Sequence, residues 1–275
     1  MDHTVSNEKF DLILDEKLNM LITSPQPKES ELGKYYESQT YISHTDANKS
    51  LFDKVYQIVK NYTIKQKIKL INSFSTEKKT ILDIGCGTGD FLEACKKHGW
   101  AITGIEPNES ARDLAVNKSE IAIQRSIEEV IEKTSNQFDI ITMWHVLEHV
   151  PNLEAYIHSI KKLLKPNGYL IIAVPNFNSY DAKYYGKFWA AYDVPRHLWH
   201  FSQQSIKLLF KNFGLELIKT LPMKFDAYYV SLLSEKYKSG KSNLVKAFYQ
   251  GFISNVKAKQ NSEYSSLIYI LNNTN

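Results

Sequence analysis

Residues 81–90 read Ile81-Leu82-Asp83-Ile84-Gly85-Cys86-Gly87-Thr88-Gly89-Asp90. An apolar, β-rich run enters three glycines at alternate positions, and a helical pattern follows. Glycines there let the backbone turn tightly and let a ligand approach the main chain with no Cβ in the way. A strand, a glycine turn and a helix in this order belong at the carboxyl edge of a parallel sheet, so the stretch by itself demands an α/β architecture. The spacing also discriminates between ligands. A dinucleotide fingerprint needs G-x-G-x-x-G, and its third glycine would fall on Asp90.

The rest of the chain agrees. Strand-sized runs at 80–84, 101–105, 121–124, 138–143, 169–174 and 215–221 alternate with helical patterns, and 265–271 reads as a seventh strand. Residues 1–50 form a polar lead-in without sustained periodicity. Residues 51–79 read as a helical extension, with Val55, Ile58, Val59, Tyr62, Ile68 and Ile71 near helical spacing. Residues 80–275 then make one domain carrying a helical insertion at about 225–262. Within the insertion Leu244, Val245, Phe248, Tyr249, Phe252, Ile253 and Val256 share one stripe. The expectation is that this stripe packs on its own protein as a lid, with no peripheral membrane contact.

The order D-x-G-x-G-x-G places Asp83 two residues before the first glycine. A phosphate gains nothing from that anion, whereas a cationic amino-acid group is attracted to it. Glu106 ends the second strand about 20 residues later, where a carboxylate can accept hydrogen bonds from both ribose hydroxyls. An adenosine joined to an amino acid satisfies both, and S-adenosylmethionine is the ligand this suggests.

Four blocks, LDIGCGTGDFL, ITGIEPNESA, FDIITMWHVLEHVPN and LLKPNGYLIIAVPN, occur in one order across residues 80–214. In them the chain resembles the class I S-adenosylmethionine-dependent methyltransferases, near the ubiquinone-biosynthesis O-methyltransferase branch. The resemblance implies a Rossmann-like, doubly wound sheet of seven strands in the order 3-2-1-4-5-7-6, with strand 7 antiparallel. It implies that Asp83, Gly85 and Gly87 line the methionine end, with Cys86, Thr88 and Gly89 completing the loop, and that Glu106 holds the ribose. Pro107 and Asn108 would flank the adenosine, Ser126 and Ile127 would meet adenine, and Trp144 and His145 would close the cofactor site. Cys86 reads as a small spacer between glycines.

After the fourth strand, Trp144-His145-Val146-Leu147-Glu148-His149 sets His145, Glu148 and His149 at helical spacing. Two imidazoles and a carboxylate can ligate a divalent metal. Related methyltransferases hold a cation with E-x-x-E-H at this place, and this chain has His145 where the first Glu belongs, which argues against a magnesium-type site. The competing expectation is that His145 touches cofactor or substrate while Glu148 and His149 only structure the turn. A second cluster, Asp193-Val194-Pro195-Arg196-His197-Leu198-Trp199-His200, follows the fifth strand. His145, His200 and His197 are the candidate general bases, and Arg196 the candidate for positioning the acceptor.

The implied reaction moves a methyl group to a small-molecule, glycan or lipid-precursor acceptor, at oxygen, leaving S-adenosylhomocysteine. A protein or RNA-end acceptor is the alternative, and a net charge of only +4 disfavours nucleic acid. A cofactor-binding scaffold without catalysis is the alternative of another class. Two cysteines, a mixed polar start and the absence of any run of 18 apolar residues lead to the expectation of a cytoplasmic protein. Aromatic residues, 12% of the chain with 17 Tyr, collect in the lead-in, after the fifth strand and in the insertion, the segments expected to cover an acceptor.

Overall fold

A computed structural model describes residues 1–36, 51–76, 78–134 and 137–274, with the side chains of 51–53 and 56 set aside. Part of the expected lead-in, residues 37–50, therefore lies outside the described residues.

The central sheet holds β3 (Thr80–Ile84), β4 (Ala101–Ile105), β5 (Phe138–Trp144), β6 (Leu164–Pro175), β8 (Leu215–Pro222) and β9 (Ser266–Asn273) in the order β4-β3-β5-β6-β9-β8. β3, β4, β5 and β6 run parallel, and β9 is antiparallel to both neighbours. The first six residues of β5 are buried, as a central strand covered on both faces requires, and this is why it reads as a continuous apolar run. One expectation is corrected. Among the described residues the sheet has six strands, not seven: residues 121–124 make only the parallel bridge Ile105↔Gln124 beside β4. Ile123 is buried in a small cluster with Ile121 packed against it, and Ser126 then opens a helix, leaving too little chain for a ladder.

Helices cover both faces. α1 (Leu51–Ile71) and α2 (Asp90–Lys97) bury Ile68, Ile71, Phe91 and Cys95 against Ile81, Ile140 and Ile171. α3 (Glu109–Ser119) packs beside α2. On the opposite face, α4 (Ile127–Lys133), α5 (Leu153–Leu163) and α7 (Gln203–Lys211) bury Val130, Ile157, Ile160, Ile206 and Phe210. Between the last two helices the chain forms α6 (Tyr180–Tyr185) and two single turns, whose Tyr185, Trp189 and Ala190 build a smaller core with Val230 of α8 (Asp226–Ser239).

The lead-in is more ordered than its sequence suggested. β1 (Asp11–Asp15) and β2 (Met20–Ser24) form a hairpin, and β2 also pairs with β7 (Trp199–His200). Every β1 side chain is at least partly exposed, so the strand carries little apolar patterning. β1 pairs with β2, and β2 is held in turn by β7, more than 170 residues away.

α9 (Leu244–Asn261) overturns the expectation for its stripe. The face turned to the protein carries Ala247, Gln250, Gly251, Ser254 and Ala258. Leu244, Val245, Phe248, Tyr249, Phe252 and Val256 are exposed instead. The reason is close approach: a Cβ on Gly251 would stand 2.9 Å from the Tyr228 Cα and 3.0 Å from the Ala227 carbonyl oxygen. Helices this near accommodate only small side chains between them.

Candidate functional site

The glycine loop turns as its sequence requires, with positive φ at Gly85, Gly87 and Gly89. The three glycines serve different purposes. A Cβ on Gly85 would collide with Val146 Cγ2, and one on Gly89 would meet the Ala115 Cα at 2.8 Å, so both are packing positions. A Cβ on Gly87 would have nothing within 4 Å: this glycine faces open space at the end of β3. Cys86 is buried, burial pushes its thiol pKa up, and it behaves as a spacer. Thr88 Oγ1 donates to Asp90, whose carboxylate also takes Lys60 of α1 and Lys118 of α3 at 2.9 and 3.1 Å. Where a dinucleotide site would need a third glycine, this chain thus has an anion that ties α1 over the loop.

Two carboxylates flank the open glycine. Glu106 accepts from the Gly87 and Asn108 amides, both at 2.9 Å, and Arg112 secures the turn by donating to the Glu106 and Pro107 carbonyls. Burial raises the Glu106 pKa against the pull of those amides. Asp83 is 1% exposed, and burial lifts its pKa to about 7 although Thr142 Oγ1 donates to it at 2.6 Å and Lys67 lies in electrostatic reach. Lys67, on α1, lies 4.0 Å from the centre of the Trp144 ring, and burial lowers its pKa to about 8. The buried Trp144 Nε1 has no hydrogen-bond partner. A carboxylate, an ammonium and an orphan N–H therefore stand together at this end of the sheet, a donor and acceptor set suited to an amino-acid zwitterion. Lys67 and Thr142 were not anticipated. Lys67 sits among lysines in a helix whose sequence gives no sign of which one points inward.

Asn108 and Ser126 act as helix caps, accepting from the Ala111 and Glu129 amides, and Ile127 is buried in the core. The side chains of all three are thus already engaged.

The histidines divide into two environments. His145 has φ +57 and sits between two carboxylates, with Nδ1 3.3 Å from Glu148 Oε1 and Nε2 3.1 Å from Asp226 Oδ2. Burial alone would lower its pKa, and the hydrogen bonds and charges of Asp226 and Glu148 outweigh it, raising it to about 10. Asp226 belongs to α8, so the insertion reaches the sheet edge, a contact invisible in sequence.

His149, His197 and His200 lie together under the lead-in hairpin. Leu198 donates its amide to the Glu148 carbonyl and Trp199 Nε1 donates to the Val150 carbonyl, which clamps the two histidine segments together. His149 Nδ1 is 3.0 Å from the Arg196 carbonyl and His197 Nδ1 is 2.9 Å from the Ala191 carbonyl. The Tyr36 hydroxyl also lies 2.9 Å from His149 Nδ1, and His197 Nε2 stands 4.0 Å from the Asp193 carboxylate. Glu148 Oε2 is buried with no partner. Glu148, His149 and His197 offer ligand atoms within 4.8 Å of one another. The trio that could hold a metal ion thus contains His197 in place of His145, and its N2O donor set would suit zinc or a similar transition ion. Burial, with His197 adding to it, lowers the His149 pKa to about 4, leaving the ring neutral as a ligand must be.

His200 is 4% exposed, its Nε2 lies 2.9 Å from Thr23 Oγ1, and burial lowers its pKa to about 3. Thr23 in turn donates to the His197 carbonyl. Arg196 is 3% exposed and fully engaged by Asp2, Asp193 and the Tyr35 carbonyl, which anchors the lead-in over the histidines. A cavity of about 220 Å³ lies beside it, between His3, Phe10 and Leu12 of the lead-in and Trp189, Tyr192 and Tyr237.

A family described as the methyltransferase domain matches residues 58–220, more than half of the chain and the whole segment holding the loop, the carboxylates and the histidines. The chain belongs to this family. Among curated relatives of this methyltransferase-domain protein, the ubiquinone biosynthesis O-methyltransferase of Coxiella burnetii is 39% identical over 118 residues, covering 41% of this chain and 50% of the relative. That of Histophilus somni is 36% identical over 135 residues, covering 46% and 56%. The chain thus spans about half the length of the curated relatives it matches. Among solved structures, magnesium protoporphyrin IX methyltransferase from Synechocystis, with bound S-adenosylhomocysteine, superposes with a TM-score of 0.57 at 14% identity, over 89% of this chain and 99% of that one. A SAM-dependent methyltransferase from Archaeoglobus fulgidus gives a TM-score of 0.51 at 19% identity, over 77% and 93%. These likenesses establish the Rossmann-like fold of the methyltransferase domain.

Proposed function

We propose that this protein binds S-adenosylmethionine at the end of β3 and β4 and transfers its methyl group to an oxygen of a small-molecule acceptor. The observation that carries the reading is the pairing of open Gly87 with Asp83 on one side and Glu106 on the other. Asp83 would hold the amino group of the methionine moiety, with Lys67 or Trp144 Nε1 available to its carboxylate, and Glu106 would hold the ribose. The cofactor supplies an activated methyl on a sulfonium, so the protein's work is orientation and management of the acceptor's proton.

The relatives are named for ubiquinone biosynthesis. We extend from them the acceptor class, a hydroxylated aromatic or lipid precursor, to this chain. The cavity beside Trp189, Tyr192 and Tyr237 has the aromatic lining such an acceptor favours. Glu148, His149 and His197 would hold a transition metal ion, whose Lewis acidity favours ionisation of a hydroxyl. His145 carries a proton at neutral pH between Asp226 and Glu148; it becomes an acceptor only after losing that proton.

Calorimetry with S-adenosylmethionine, followed by single-turnover methylation of catechols and hydroxylated quinone precursors, tests the reading. Binding that depends on Asp83 and Glu106 and methyl transfer to oxygen are expected. The absence of both binding heat and a thermal shift with the cofactor would overturn it.

A further inference from the structure

α9 is built inside out. Its buried positions are the small or polar Ala247, Gln250, Gly251, Ser254 and Ala258, with Gly251 against Ala227 and Tyr228 of α8 and Ser254 donating to Asp181 of α6. Its outer face is aliphatic and aromatic: Leu244 is 64% exposed, Val245 82%, Phe248 65%, Tyr249 58% and Phe252 49%. A helix that gives its largest apolar side chains to solvent and its smallest to its own protein is shaped for an apolar surrounding on the outside.

The apolar surface does not stop at α9. Phe248 packs on Tyr228 of α8 at 5.0 Å between ring centres, and Phe225 at the start of α8 meets Tyr62 of α1 at 5.6 Å. Phe225, Tyr62 and Ile58 are themselves exposed. Asp226, the next residue, contacts His145. The exposed face therefore leads to the edge of the candidate site.

Charge identifies the occupant. Between residues 236 and 262 the chain carries six lysines, Lys236, Lys238, Lys241, Lys246, Lys257 and Lys259, and no aspartate or glutamate. All but Lys246 are exposed. Lysines around an apolar helical face complement anionic headgroups above acyl chains. A second copy of this chain would set lysines against lysines. No helix among the described residues is long and apolar enough to cross a membrane, so this would be contact in the interfacial plane.

We propose that α9, with the start of α8 and the exposed face of α1, docks this protein on an anionic lipid bilayer. Only the further step, that a lipid-borne acceptor reaches the site from this side, rests on the methyl-transfer reading above. Docking stands without it.

The test is flotation of the full chain with vesicles of phosphatidylcholine alone and with 30% phosphatidylglycerol, beside calorimetry with S-adenosylmethionine. Binding to the anionic vesicles and its weakening by salt are expected. Phe248→Glu with Phe252→Glu should lower the bound fraction at least about tenfold, and Lys241→Glu with Lys259→Glu should abolish the preference for anionic lipid. Both double variants should keep the wild-type melting temperature and cofactor affinity, because the altered side chains are exposed. Wild-type protein that stays off anionic vesicles overturns the proposal. So does vesicle binding that both variants retain, or a lipid-free dimer, seen by light scattering, that Phe248→Glu with Phe252→Glu dissolves. Cofactor binding without vesicle binding would defeat docking alone, and the converse would defeat the methyl-transfer reading alone.

Discussion

His145 Nε2 lies 3.1 Å from the Asp226 carboxylate, joining the end of β5 to the first turn of α8. The imidazole pKa is raised above its ordinary value, so the pair contributes stability that is fully present below about pH 6.5 and is lost as pH rises through about 10. Asp226→Asn should lower the melting temperature at pH 7, with the difference from wild type vanishing above pH 10. It should also bring the His145 titration down toward neutrality by NMR. An unshifted His145 resonance would show that the contact does not set its charge.

Asp83 should make cofactor affinity depend on pH. Its carboxyl, lifted to about 7, is neutral in acid and would have to ionise to hold a cationic amino group. Calorimetry should show S-adenosylmethionine affinity falling about tenfold per pH unit below 7. The sign for folding is opposite. The folded state keeps this proton over a window where the unfolded chain has lost it, so stability contributed here declines as pH rises from about 4 to 7. Asp83→Asn should thus weaken cofactor binding roughly 10- to 100-fold while leaving the melting temperature at pH 8 unchanged or higher.

Gly85 and Gly87 share a left-handed backbone but not the same surroundings. An alanine at either position carries a conformational cost of roughly 1–2 kcal/mol. Gly85→Ala adds a collision with Val146 and should show the larger loss of melting temperature. Gly87→Ala should remain folded and lose cofactor affinity about tenfold or more, because its methyl enters the open space beside Glu106. Equal stability losses with retained affinity in Gly87→Ala would place the ligand elsewhere.

Metal binding should separate the two histidine environments. Protein purified without a histidine tag should take up zinc by mass spectrometry or calorimetry, and His197→Ala or His149→Ala should lower the affinity at least about tenfold. His145→Ala should leave it within about threefold, since the His145 nitrogens face Glu148 Oε1 and Asp226. The reverse ranking would return His145 to the ligand set.

Much of the nucleotide half of the site is local, and for that reason legible. Asp83, the glycines and Glu106 lie at the ends of adjacent strands whose period and turns are written within short windows, and parallel pairing of β3 with β4 brings them together. The same locality made the alternation of strands and helices readable. It failed at residues 121–124, where a β-like sequence makes a single bridge because the helix capped by Ser126 begins directly after it.

What the sequence by itself determined is the α/β framework, the glycine loop and the carboxylates that frame it, because each follows from backbone geometry and short-range patterning. What only the tertiary structure decided is which distant groups meet. Lys67 reaches Trp144, Asp226 takes His145, and His197 joins Glu148 and His149 because backbone hydrogen bonds clamp residues 148–150 to 198–199. The outward turn of α9 belongs here too. Its sequence contains both a large apolar stripe and a face of small residues, and periodicity reveals the two faces without saying which one the protein keeps. Close contact of Gly251 with α8 fixed the choice, because only the small face fits there.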